Sequence, residues 1–204
     1  MTYALFYDTE TSSLPIWEKP SEHPDQPHIV QLAARLVDLE SRDTISSIDV
    51  IIKPDGWTIP DDIAEIHGIT TEKAHDLGVP ESTALDMFMQ LWGQRERIAH
   101  NESFDARIVR IAQHRFNRNE SEIDAWKSGQ IQCTARLATP IVKCPPTPKM
   151  IAAGRKHHKT ANLSEAYAFF TGNQLANAHS AMVDVQACMT VYFAIQDLRQ
   201  KEAA

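Results

Sequence analysis

Tyr3-Ala4-Leu5-Phe6-Tyr7-Asp8-Thr9-Glu10-Thr11 is an apolar, aromatic run that ends abruptly in two acids. Read as a strand, its side chains alternate between faces, so Asp8 and Glu10 project to the same side. Two carboxylates on one face at the tip of a buried strand repel each other, and a proton or a cation relieves the repulsion. Hard divalent cations with oxygen ligands suit such a pair. Taken alone, D-x-E at a strand end is also ordinary solvated punctuation, so the rest of the chain must decide.

Outward from this strand the pattern continues. Ser12 to His28 holds Pro15, Pro20, Pro24 and Pro27 and reads as a surface loop beside the first acids. Ile29 to Val37 and Thr44 to Lys53 read as two further strands, joined through Ser41-Arg42-Asp43 by a connection short enough for a hairpin. An antiparallel meander of three strands is expected. Pro60-Asp61-Asp62 starts a short helix that Gly68 closes, and Thr70 or Thr71 caps another. Ser82 is expected to cap a longer helix with Leu85, Phe88, Met89 and Trp92 inward.

Arg97-Ile98-Ala99 reads as a short buried strand. His100-Asn101-Glu102-Ser103 leads into a helix with Phe104, Ile108, Ile111 and Ala112 on one face and Asp105 in its first turn. Gln130 to Thr134 is expected to be a fifth strand, and Thr139 to Thr160 a long loop. Leu163 to Phe170 reads as a helix ended by Gly172. Ser180 to about Gln200 reads as a long helix with Val183, Ala187, Val191, Ala194, Ile195 and Leu198 inward. Strands followed by alternating helix and strand predict an α/β fold with a mixed sheet and a single domain over 1–204.

Bulk properties narrow the classes. A chain of 204 residues, 43 % hydrophobic, is long enough to bury a substantial core. It has no apolar run that would span a bilayer and no leader-like start, so no membrane association is expected. Cys133, Cys144 and Cys188 are odd in number and lack C-x-x-C spacing, which argues against a disulfide framework or zinc knuckle and for a reducing, cytoplasmic setting. The formal charge of −7 disfavours non-specific adhesion to nucleic acid, but a site that gathers acids also makes the total negative.

Asp105 sits at a strand-to-helix junction, where open α/β sheets place their sites. An acid favoured by the helix dipole is the plain alternative. Asp184 lies in Ala181-Met182-Val183-Asp184-Val185, near the start of an otherwise apolar helix, where an unpaired carboxylate is costly unless it faces solvent. His179 lies five residues earlier.

Order and spacing together carry more than any one motif. Asp8-x-Glu10 ends the first strand, Asp105 follows His100-Asn101-x-x-Phe104, and His179-x-x-x-x-Asp184 enters the last helix. This resembles the DEDDh family of 3′→5′ exonucleases, which includes the proofreading exonucleases and ribonuclease T. Ile66-His67-Gly68-Ile69, Asn162-Leu163 and Ala178-His179 also fall in register with it. The resemblance covers about residues 3 to 198 and is similar in character to phage- or prophage-borne members. The loops at 12–28 and 139–160 are longer than in compact members.

The resemblance implies a ribonuclease H-like fold, a five-stranded mixed sheet flanked by helices. It implies that Asp8, Glu10, Asp105 and Asp184 hold two Mg²⁺ or Mn²⁺ ions and that His179 is the general base, releasing nucleoside 5′-monophosphates from the 3′ end of DNA or RNA. Single-stranded ends are expected as the partner, and a polymerase partner is not indicated. Thr9, Thr11, Leu14, His67, Ala99, Asn101 and Phe104 are the expected contacts to the terminal nucleotide, with Phe104 equally a core candidate. Lys143 to Lys159 carries Lys143, Lys149, Arg155, Lys156 and Lys159 and no acid, which suits phosphate contact or simply a solvated loop. Two rival readings remain: a catalytically silent nucleic-acid-binding module on the same fold, and a proofreading subunit of a polymerase.

Overall fold

The computed structural model describes residues 2–203. Five strands form one mixed sheet: β1 (Tyr3–Thr11), β2 (Ile29–Asp38), β3 (Thr44–Ile51), β4 (Glu96–Ala99) and β5 (Ile131–Cys133). Their order across the sheet is β3-β2-β1-β4-β5. The first three pair antiparallel, as the hairpin spacing predicts, and β4 and β5 add in parallel on the other side of β1. Asp38 helps close the β2–β3 turn: its Oδ1 accepts from the backbone N–H of Glu40 at 2.9 Å.

The central strand is buried on both faces, which explains its near-continuous apolar run. Leu5 and Tyr7 point to one side and pack with Leu85, Phe88 and Trp92 of α3 (Glu81–Trp92) and Ile108, Ile111 and Ala112 of α4 (Glu102–Arg115). Ala4 and Phe6 point to the other side and pack with Val185, Cys188 and Tyr192 of a long C-terminal helix, Ala181–Ala203. The alternation carries on past the core. Asp8 and Glu10 therefore face the C-terminal helix, and Thr9 faces α4.

The short helices α1 (Asp61–His67) and α2 (Thr71–Leu77) follow β3. Gly68 ends α1 at φ +71°, a left-handed backbone that glycine adopts without strain, and the Thr70 side chain caps α2. Ser82 does not cap α3. That helix starts after Pro80, and Glu81 is buried and accepts from the backbone N–H of Ile29 at 3.1 Å.

Three helices were not anticipated, two of them at least partly within the stretch 139–160. α5 (Glu120–Ser128) is capped by Asn119, α6 (Thr134–Val142) runs straight on from β5, and α7 (Pro148–Ala152) lies inside the basic stretch. α6 contains Pro140, a residue that usually interrupts a helix. Only Ile141 and Val142 of the helix follow Pro140, and the N–H that it lacks removes a single helical hydrogen bond, to the carbonyl of Arg136. α8 (Leu163–Thr171) has the expected start and stop: Asn162 and Glu165 form a reciprocal capping box, and Gly172 ends the helix at φ +74°.

The C-terminal helix, α9, is buried along two stripes rather than one. Val191 and Ile195 pack with Ala138 of α6 and Ala166 of α8, as their spacing predicts. Val185, Cys188 and Tyr192 form a second stripe against the sheet. Val183 is only half-buried and Leu198 is exposed, so neither is a core anchor.

Candidate active site

The tip of β1, the starts of α4 and α9, and the end of α1 enclose a cleft of about 590 Å³. It is lined by Asp8, Thr9, Glu10, Thr11, Leu14, His67, Asn101, Phe104, Asp105, His179 and Asp184, with Ser13, Ile63, Ile66 and His100. All four singled-out acids and His179 meet here, although they span 176 positions of sequence from 8 to 184. Ala99 does not line it. It is wholly buried at the end of β4, and its carbonyl accepts from the Thr134 hydroxyl at 3.4 Å.

Asp105 comes from the α4 side and is clamped by the residue that separates the two strand acids. Thr9 donates to Asp105 Oδ1 from its backbone N–H at 3.0 Å and from its hydroxyl at 2.7 Å. Below lies a buried polar network. Arg97 pairs with Glu102 at 3.3 Å, donates to the Trp126 carbonyl at 2.6 Å and sits 3.6 Å over the Trp126 ring, while the Tyr7 hydroxyl donates to Glu102 at 3.2 Å. This network ties the start of α4 to β1 and β4 beneath Asp105, with Nε alone of the Arg97 guanidinium nitrogens buried without a hydrogen-bond partner among the described residues.

Asp184 comes from the opposite wall. Its Oδ2 accepts from the backbone N–H of His179 at 3.3 Å, and its buried Oδ1 has no hydrogen-bond partner among the described residues. One ligand atom from each of Glu10, His179 and Asp184 lies within 4.8 Å of the others. His179 itself has φ +70°, an uncommon backbone for a residue with a Cβ, of the kind that gathers at functional sites. Asn101, which precedes α4, shares this conformation at φ +66°.

The electrostatics follow from packing acids together. Burial, then the charges of Asp105, Asp184 and Glu10, push Asp8 well above the usual carboxylate range. Burial and Asp184 raise Glu10 to about 7. Burial raises Asp105 to about 8 against the lowering effect of the Thr9 hydrogen bonds. Burial also raises Asp184, with the His179 backbone N–H and His179 itself opposing. Four acids that all resist ionisation, one with an orphaned oxygen aimed into a cleft, form a donor set that fits hard divalent cations.

Two further histidines frame the cleft. His67 Nδ1 accepts from the backbone N–H of Ile69 at 3.2 Å, which leaves the proton on Nε2. Burial, His179 and Lys73 lower its pKa, and Nε2 is buried without a hydrogen-bond partner among the described residues. Sequence reading used His100 only as part of a motif. It ties the cleft to two distant segments, with Nδ1 2.9 Å from the Thr134 hydroxyl and Nε2 3.0 Å from the Ala161 carbonyl. Its place directly after β4 was the available signal. The basic stretch ends at this anchor, with Lys143, Lys149, Arg155 and Lys156 exposed and Lys159 paired to Glu165.

No curated protein sequence matches the chain. Among solved structures, E. coli exonuclease I in complex with a dT13 oligonucleotide is similar over 100 % of this chain and 42 % of its own, at 21 % identity and TM-score 0.74. A zinc-bound form of an E. coli exonuclease I complex with single-stranded DNA is similar over 98 % of this chain and 41 % of its own, at 19 % identity and TM-score 0.71. Cell-death related nuclease 4 is similar over 97 % of this chain and 64 % of its own, at 16 % identity and TM-score 0.68. The chain thus spans about two-fifths of exonuclease I, and these likenesses establish the shared fold. A family model for exonucleases, RNase T, matches residues 5–192, from β1 into α9. With nearly the whole described sheet and every cleft acid inside that match, this chain belongs to the RNase T exonuclease family.

Proposed function

We propose that this protein is a metal-dependent 3′→5′ exonuclease that removes nucleoside 5′-monophosphates from single-stranded ends. The observation that carries the reading is the convergence of Asp8, Glu10, Asp105, Asp184 and His179 on one cleft. The four carboxylates would hold two divalent cations, Mg²⁺ or Mn²⁺. When bound, such ions lower the pKa of water and neutralise charge at an in-line phosphoryl displacement.

The chain's own residues do the rest. Thr9 ties Asp105 to the strand tip through its backbone N–H and its hydroxyl, close enough for the charge of Asp105 to act on Asp8. His179, at the open end of the cleft, takes the proton of the attacking water at an imidazole nitrogen. Imidazole suits that exchange as a residue type, because it can take up and return a proton near neutral pH. Water adds to phosphorus as the P–O3′ bond breaks, and the shortened strand leaves with a new 3′-hydroxyl. Thr9, Thr11, Leu14, Asn101 and Phe104 surround the terminal nucleotide. His67 presents its Nε2–H to a phosphate or sugar oxygen.

The DNA-bound state of exonuclease I supports a single-stranded DNA end as the substrate. The three cysteines are free, which suits a reducing cytoplasm, and no helix among the described residues is long and apolar enough to cross a membrane. The test is release of label from 3′-labelled oligonucleotides, DNA and RNA, single- and double-stranded, in Mg²⁺, Mn²⁺ and chelator. Metal-dependent release of mononucleotides is expected. Tight binding without release in any metal would instead support a silent binding module.

A further inference from the structure

The loop from Ser12 to His28 is pinned far more firmly than its proline content requires. The buried Gln26 side chain accepts from the Ile16 N–H and donates to the carbonyls of Ile16 and Pro20. Arg107 of α4 donates to the carbonyls of Ile16 and Lys19, at 2.9 and 2.5 Å. Arg115 donates to the Gln26 and Pro27 carbonyls, and Arg110 to the Ser21 hydroxyl. These bonds straddle Trp17, whose side chain is nevertheless 54 % exposed. The Arg107 guanidinium lies over the ring, 4.9 Å from its centre, and about half of the residue's surface stays in water.

A large aromatic ring held fixed, half in water and backed by a cation, is not core. Its position is defined from two sides. Leu14, three residues before it, lines the cleft. Arg107, beneath it, lies three residues after Phe104, which also lines the cleft, so the two share a face of α4 about 5 Å apart along its axis. Trp17 therefore stands one step outside the cleft, on the side of Leu14 and Phe104.

We infer that Trp17 is a stacking platform for a base of the single strand where it leaves the cleft, with Arg107 holding the ring in place. This rests on the exonuclease reading of the cleft. Every base has a flat π-face, so such a platform grips a strand without reading its sequence, and the cation behind the ring favours the nearby phosphates. Rigidity matters here, because a ring already fixed by its loop loses little freedom when a base lands on it.

The test compares Trp17→Ala and Trp17→Phe with the unaltered chain, using an eight-nucleotide single strand and a dinucleotide. Binding of the octamer is followed in chelator by intrinsic fluorescence. Trp92 and Trp126 are buried and Trp57 is stacked on His28, so a contact quench reports on Trp17. The expected result is a quench lost in Trp17→Phe and a Kd for the octamer raised roughly five- to hundredfold in Trp17→Ala. Trp17→Phe should keep most of the affinity, and dinucleotide hydrolysis should be unchanged in both. Equal octamer affinity in Trp17→Ala, equal losses on octamer and dinucleotide, or a quench that survives in Trp17→Phe would each overturn the platform. So would failure of the unaltered chain to bind the octamer, or a change of oligomeric state in Trp17→Ala without loss of octamer affinity. An unaltered chain that binds the octamer through Trp17 but hydrolyses neither substrate sinks the exonuclease reading and leaves the platform standing.

Discussion

His179 and Asp184 meet twice: the backbone N–H of His179 donates to Asp184 Oδ2 at 3.3 Å, and both side chains present ligand atoms within 4.8 Å of each other and of Glu10. One residue thus steadies the carboxylate with its backbone and leaves its imidazole available. His179→Ala should lower the rate roughly 10²- to 10⁴-fold while keeping much of the metal affinity. His179→Asn, which tolerates the left-handed backbone, should be as inactive, separating lost proton transfer from backbone strain. Rate against pH, with Mn²⁺ titration by calorimetry, checks both. An unchanged pH–rate curve would remove the base role.

Asp8 and Asp184 reach the cleft from β1 and α9, and the charge of Asp184 helps raise both Asp8 and Glu10. Asp8→Ala or Asp184→Ala should abolish nearly all release of mononucleotides in Mg²⁺. A mutant that keeps its full rate would show that this carboxylate is not needed.

In the metal-free protein the acids make stability depend on pH in an unusual direction. Glu10 moves from 4.5 to about 7 and Asp105 from 3.8 to about 8 on folding. The folded chain therefore holds protons that the unfolded chain releases. That contribution is complete below about pH 4 and is lost as pH rises through 7 to 8. The Tm in chelator should fall across this window by roughly 5 °C or more. Adding Mg²⁺ or Mn²⁺ should raise it more at pH 8 than at pH 5. A Tm in chelator that is flat from pH 5 to 8 would contradict the crowding of these acids.

Thr9→Val keeps the strand shape and removes one of two donors to Asp105. Loss of a hydrogen bond to a buried carboxylate should cost about 1–2 kcal/mol in denaturant unfolding. The hydroxyl lowers the pKa of Asp105, so its removal should raise that pKa further and move the acid limb of the rate profile to higher pH. A limb that stays in place would mean that Asp105 does not govern it.

Lys149, Arg155 and Lys156 are exposed on a stretch whose end is tied to the cleft through His100 and the Ala161 carbonyl. If phosphates run past them, reversing these charges should weaken oligonucleotide binding and flatten its salt dependence. Equal slopes of log Kd against log salt, before and after reversal, would return the stretch to plain solvent.

The sheet was legible because its signals are local, whereas the gathering of acids was legible only through their order along the chain and the family resemblance. The alternation of β1, the hairpin at Ser41–Asp43 and the glycines at 68 and 172 each act within a few residues. What was not legible depends on partners far along the chain. Pro140 reads as a breaker, yet α6 forms because Ala138 has α8 and α9 to pack against. α9 shows a single stripe on paper but has two neighbours, so Val185 and Tyr192 are buried where Leu198 is not. Ala99, expected to touch the terminal nucleotide, is the last residue of β4 and is wholly buried. The chain turns only after it, and His100 takes that place instead.

The placement of Asp184 and His179 also sets a clock. Asp8, Glu10 and Asp105 leave the ribosome long before the last helix, whose docking on Phe6 delivers the fourth acid. A chain made only as far as α4 therefore holds three of the four acids and lacks Asp184 and His179. On the proposed reading the site is therefore complete only once α9 has seated against β1, which ties its assembly to the latest-made helix among the described residues.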